Sequence, residues 1–153
     1  MKKFLEISGF VALLVAIVGF VLMMATPAIV TKDADVLITG TEAIFGSKYT
    51  EPATLALLAW IFGLLAILVL AAALILPLLK VKVLDKYIGF INLGICLFFV
   101  LVGIFMFCVR ASWANSNINA GYIGAGWVIG GILFFVAGGV LMLPAILSLV
   151  KKK

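Results

Sequence analysis

Four long apolar runs, at residues 4–25, 53–79, 87–109 and 122–150, restrict this chain more than any other feature of its sequence. A helix needs roughly 20 residues to cross about 30 Å of hydrocarbon, and each run meets or exceeds that length. The first reads FLEISGFVALLVAIVGFVLMMA. It is longer than the roughly 7–15-residue apolar core of a signal peptide, and no clear A-x-A cleavage site follows, so it is expected to be a retained span. The chain is 67% hydrophobic and 11% charged. A soluble domain carries about 45–50% and about 25%, respectively. A soluble fold of 153 residues could not bury so much apolar surface. The expectation is therefore a single four-helix membrane domain over residues 1–153, multi-pass, in a plasma membrane or a bacterial inner membrane.

Basic residues set the predicted threading. With four spans, Lys2, Lys3, Lys80, Lys82, Lys86, Lys151, Lys152 and Lys153 fall on one side, whereas only Lys32, Lys48 and Arg110 fall on the other. Both ends of the chain and the loop 80–86 are thus expected in the cytoplasm, with outer loops at 26–52 and 110–121. The basic balance then reflects topology and attraction to anionic lipid heads, and no nucleic-acid partner is implied. Trp60, Trp113 and Trp127 lie near the expected outer interface, as an aromatic belt would place them, while Tyr87 and Tyr122 mark an inner and an outer span end.

Helices in lipid associate through small residues that let backbones approach. Such residues recur at three- and four-residue or seven-residue steps in every span. They are Gly9, Ala12, Ala16 and Gly19; Ala56, Ala59, Gly63, Ala66 and Ala73; Gly89, Asn92, Cys96 and Gly103; and Gly124, Gly131, Gly138 and Ala145. This period predicts an all-α, left-handed four-helix transmembrane bundle. Gly126-x-x-x-Gly130 lies on another face of the last span, the best sequence hint of a second partner or of oligomerisation.

Chemistry-bearing groups are scarce. The chain has no His, and no Asp, Glu, Lys or Arg lies in the middle of a span. Proton relays and ion-coupled carriers use such groups. Cys96 and Cys108 are twelve residues apart in one span, roughly 18 Å at the helical rise, too far to bond to each other. Zinc, haem and thiol catalysis lack partners, so neither an enzyme, a cofactor nor a metal site is expected. Asp33-x-Asp35 lacks the glycine and the distal glutamate of a calcium loop and reads as a turn. Asn92 is the one strong amide inside a span and is expected to form an interhelical hydrogen bond. Pro77 and Pro144 sit near the cytoplasmic span ends and are expected to shape the exits.

The first outer loop contains TKDADVLITGTEAIFGSKYT. Residues 28–31 and 36–41 are β-branched runs separated by KDAD, which predicts a small extracytoplasmic β-hairpin, and residues 43–45 add a third apolar patch. An isolated hairpin is marginal, so support from the bundle or a partner is expected. The second outer loop, RASWANSNINAGY, is short and amide-rich. Asp33, Asp35, Glu42, Phe45, Tyr49 and Trp113 are the candidate residues of an outer interaction surface. Four spans, cytoplasmic ends, a larger strand-bearing first outer loop and a smaller second one resemble the claudin-like tetraspan arrangement. The first loop holds no Trp and no Cys, so the W-GLW-C-C signature of claudins is absent and no residue role is carried across. The likeness implies a hairpin-capped bundle whose outer loops meet partners. The expected function is a non-enzymatic structural or interaction subunit, with the lipid bilayer, a second copy or another membrane protein as partners. The other reading is a subunit of an oligomeric channel or transporter.

Overall fold

The computed structural model describes residues 2–31, 36–48, 51–82, 86–111 and 122–151. In chain order the elements are α1 (Lys2–Ala25), β1 (Pro27–Val30), β2 (Val36–Thr39), α2 (Gly40–Phe45), α3 (Thr54–Leu78), α4 (Ile88–Phe107), β3 (Tyr122–Ile123) and α5 (Ala125–Lys151). Four of the helices, α1, α3, α4 and α5, are long and apolar enough to cross a membrane. Each is apolar outside as well as inside: Leu14, Leu68, Leu97 and Ile129, one per helix, are all about half exposed or more. A helix that is hydrophobic all round belongs in lipid or in a large core.

The four long helices form a ring in which α1 packs on α3 and α5, and α4 packs on α3 and α5. Small residues face the inside. Every member of the four predicted stripes is buried except Asn92, which is half-buried. The helix α5 makes the two most extensive contacts, and neighbouring glycines explain how it serves both partners. A Cβ at Gly130 would sit 3.2 Å from the Gly19 carbonyl of α1, and one at Gly103 of α4 would sit 3.1 Å from the Gly131 carbonyl. Larger residues there would hold the helices apart. Phe99 and Phe134, both fully buried, fill the centre with ring centroids 5.9 Å apart.

At one end of the bundle lies a sheet of order β2-β1-β3. It is larger than the hairpin expected from the sequence, because Tyr122–Ile123, assigned above to the last span, pairs antiparallel with β1. The register sets Ile38 and Ile123 against Ile29 in one row, and Val36 and Tyr122 against Val30 in the next. Ile29 and Ile38 are buried, whereas Val36 and Tyr122 are exposed. Ile29 and Val30 are neighbours and so face opposite sides, and a register shift between these two pairs sets Val36 and Ile38 on different faces although they are two residues apart. The second expected strand also stops short of residue 41: Thr39 caps α2 instead, with its side chain accepting from the Glu42 amide and the Glu42 carboxylate accepting from the Thr39 amide.

Backbone contact joins sheet and bundle. The Gly40 amide donates to Thr26 O at 3.0 Å, and the Gly124 amide donates to Ala28 O at 2.9 Å. A Cβ at Gly124 would collide with the Pro27 carbonyl, and one at Gly40 with the Met23 carbonyl. Around Gly139, by contrast, a Cβ would meet nothing within 4 Å. Gly124→Ala is therefore expected to destabilise the fold by ~1–3 kcal/mol, while Gly139→Ala leaves it unchanged or slightly firmer. Thermal unfolding of the two variants in one detergent checks this pair.

Candidate interaction surface

The sheet end presents exposed side chains outside the four candidate spans. In the outward row across the sheet, Val36 and Tyr122 are each 53% exposed and flank the half-exposed Val30. Just beyond α4, the Arg110 guanidinium lies over the Tyr122 ring at 5.4 Å. An exposed cation–π pair of this kind contributes about 0.5–1 kcal/mol and holds both groups in place. The result is an apolar strip ending in an aromatic ring and a positive charge.

Next to the strip, α2 is fixed against α3. The Ala53 amide donates to Ala43 O at 2.8 Å. Phe45 meets Trp60 edge to face at 5.1 Å, while 52% of Phe45 stays exposed. Of the six residues expected to form an outer interaction loop, Phe45 is the one found as a free apolar contact. Glu42 has a different part. Its carboxylate accepts from the Thr39 amide at 2.9 Å and from the Thr39 hydroxyl at 3.0 Å, which closes a capping box. Asp33, Asp35, Tyr49 and Trp113 lie outside the described residues.

The glycines proposed as a packing or oligomer face are engaged within the chain. Gly124 meets Pro27, Gly126 meets the Thr26 side chain, Gly130 meets Met106 and Gly19, Gly131 meets Phe107, and Gly138 meets Cys96 and Val100. The Gly126-x-x-x-Gly130 face, read above as a hint of a second partner, thus meets Thr26, Gly19 and Met106 of the same molecule, with Gly126 half-buried and Gly130 buried. Trp127 also departs from its expected place. It is fully buried beneath the sheet end rather than set in a lipid-facing belt, because the first turn of α5 begins under β1 and turns that side chain inward. Neither its indole N–H nor that of Trp60 has a hydrogen-bond partner among the described residues. Among those residues there is also no group of three His, Cys, Asp or Glu side chains placed to hold a metal ion.

Sequence reasoning missed the strand at Tyr122–Ile123 and the helix α2. The second had a signal in Thr39-Gly40-Thr41-Glu42, which has the S/T-x-x-E spacing of a capping box. If capping is what Glu42 does, Glu42→Ala should lower stability by ~0.5–2 kcal/mol, and Glu42→Gln, which can still accept from the Thr39 amide, should keep most of it. Equal losses in both variants, measured by thermal unfolding, would show that charge and not capping is at work. Compared with known protein families, curated proteins and solved structures, the chain gives no match.

Proposed function

We propose that the protein is a non-enzymatic, multi-pass membrane subunit that binds another protein through its sheet end. The observation that carries this reading is the exposed Val36–Val30–Tyr122 row with Arg110 over the Tyr122 ring, on a sheet joined to the bundle by backbone hydrogen bonds. Aromatic and arginine side chains on a rigid base are the groups that dominate binding energy at protein interfaces. In this reading the sheet end faces away from the cytoplasm. It is supported by the lysines at the opposite end, where Lys3, Lys80, Lys82, Lys86 and Lys151 are all exposed. A left-handed supercoil of the bundle is proposed on the seven-residue spacing of Gly124, Gly131, Gly138 and Ala145. A likeness to the claudin-like tetraspans is proposed at the level of topology alone.

The threading is tested with single cysteines at Ser47 and Lys82, both exposed, in a background lacking Cys96 and Cys108. An impermeant thiol reagent applied to intact cells should label the first and spare the second; labelling of both from one side ends the topology. The interaction is tested by affinity capture in mild detergent with Val36→Ser/Tyr122→Ser and with the intact sequence. The double variant should retain its melting temperature and lose most of its partner, about 1–3 kcal/mol of binding or roughly tenfold to a hundredfold. Unchanged recovery from a folded variant refutes the surface. Selective solute flux in liposomes would instead favour the channel-subunit reading.

A further inference from the structure

A second site lies at the opposite end of the bundle, in the seam between α1 and α3. Of the four seams in the ring this is the most sparsely packed. It opens into a crevice of about 190 Å³, whose walls include Glu6, Gly9, Phe10, Leu74, Asn92 and Ser148. A single water needs only ~10–15 Å³ by the same measure, so the space suits a larger occupant. Its rim is accessible from the side, because Phe10 is 44% and Leu78 is 68% exposed on the lipid-facing surface.

The polar groups in this otherwise apolar crevice are what distinguish it from a packing defect. Asn92 was expected to bond to a neighbouring helix, but its amide makes no hydrogen bond with any other described residue and lines the crevice instead. Asn92 is half-buried one turn from the start of α4, so its carboxamide remains accessible to an occupant of the crevice. Ser148 donates its hydroxyl to Ala145 O at 2.8 Å, which leaves its oxygen able only to accept. Glu6, at the mouth, is exposed and has no ion-pair partner among the described residues. Among the described residues it is the one carboxylate at an end whose exposed charges also include Lys3, Lys80, Lys82, Lys86 and Lys151.

We propose that this crevice binds a phospholipid whose head carries a primary ammonium group. The zwitterionic head matches the charge pattern: Glu6 takes the ammonium, the lysines exposed at the same end of the bundle favour the phosphate, and the Asn92 amide donates to an ester carbonyl while an acyl chain lies along Leu70, Ala73 and Leu74. An anionic head without an amine would use the lysines and be repelled by Glu6. A quaternary ammonium has no N–H to give the carboxylate and is held best by an aromatic cage, and Phe10 is the one aromatic side chain among the lining residues.

The test uses the full chain in detergent, incubated with phosphatidylethanolamine, phosphatidylcholine and phosphatidylglycerol of identical acyl chains, with bound lipid counted by native mass spectrometry. The intact protein should retain the ethanolamine lipid about fivefold over either of the others, the ratio expected of one partly exposed ion pair. Glu6→Gln, a surface change that does not threaten folding, should erase that preference while some lipid stays bound. Asn92→Leu should reduce all bound lipid, and Leu14→Ala, outside the crevice, should alter nothing. Equal retention of the three lipids, a preference for phosphatidylglycerol, no retained lipid, or an ethanolamine preference that survives Glu6→Gln would each overturn the proposal.

Discussion

The fold depends on how the chain leaves α1. Beyond Ala25 the last carbonyls of the helix lose their helical donors, and at the edge of an apolar bundle a buried backbone group without a partner is expensive. Here the Thr26 amide and hydroxyl both donate to Leu22 O, the Gly40 amide reaches Thr26 O, and the Gly124 amide reaches Ala28 O. Two segments far apart in sequence thereby converge on residues 26–28. They approach backbone to backbone, and that distance excludes a Cβ at either glycine. The sheet is the consequence of this convergence more than of strand propensity, since β1 and β2 have four residues each and β3 has two.

The same economy of side-chain volume runs through the bundle. Adjacent glycines 130 and 131 let α5 lie against α1 on one side and α4 on the other, so one helix organises the ring. Small residues are used up inside, and large apolar side chains face outward. That is the reverse of the soluble pattern only in its surface; the interior follows the same close-packing rule with smaller parts. Gly94 and Gly139 are the helical glycines with open space around them, which sets them apart from the packed stripes.

What was legible in the sequence is what depends on local composition. The four spans are runs of apolar residues, and the inward stripes are a period in residue size; both survive without knowledge of tertiary contacts. The sheet end was read less well. Residues 36–41 look like one β-branched strand, but the Thr39–Glu42 capping box ends it and starts α2. Tyr122 and Ile123 are apolar and extend the last hydrophobic run, so hydropathy cannot tell that their backbone pairs with β1. Trp127 has the composition of an interfacial anchor, and only its rotation about the α5 axis decides that it is buried. Asn92 shows the same limit. A sequence locates an amide in a span but not whether a partner stands within reach.

The two ends of the bundle differ for a topological reason. At the sheet end α1 and α3 are joined by residues 26–53, which are drawn tight by the Ala53–Ala43 hydrogen bond and by Phe45 on Trp60. At the other end no connection runs between them. The chain continues from α3 toward α4 after Lys80, whose φ of 60° and the Val81-to-Leu76 hydrogen bond close the helix. There the first turns of α1 meet α3 through close packing, with Gly9 against Leu74. Of the four pairs in the ring, α1 and α3 are the most sparsely packed, and they share no link at that end. The crevice lies at that seam, and a polar amide and a carboxylate facing it make the opening chemically selective as well as wide.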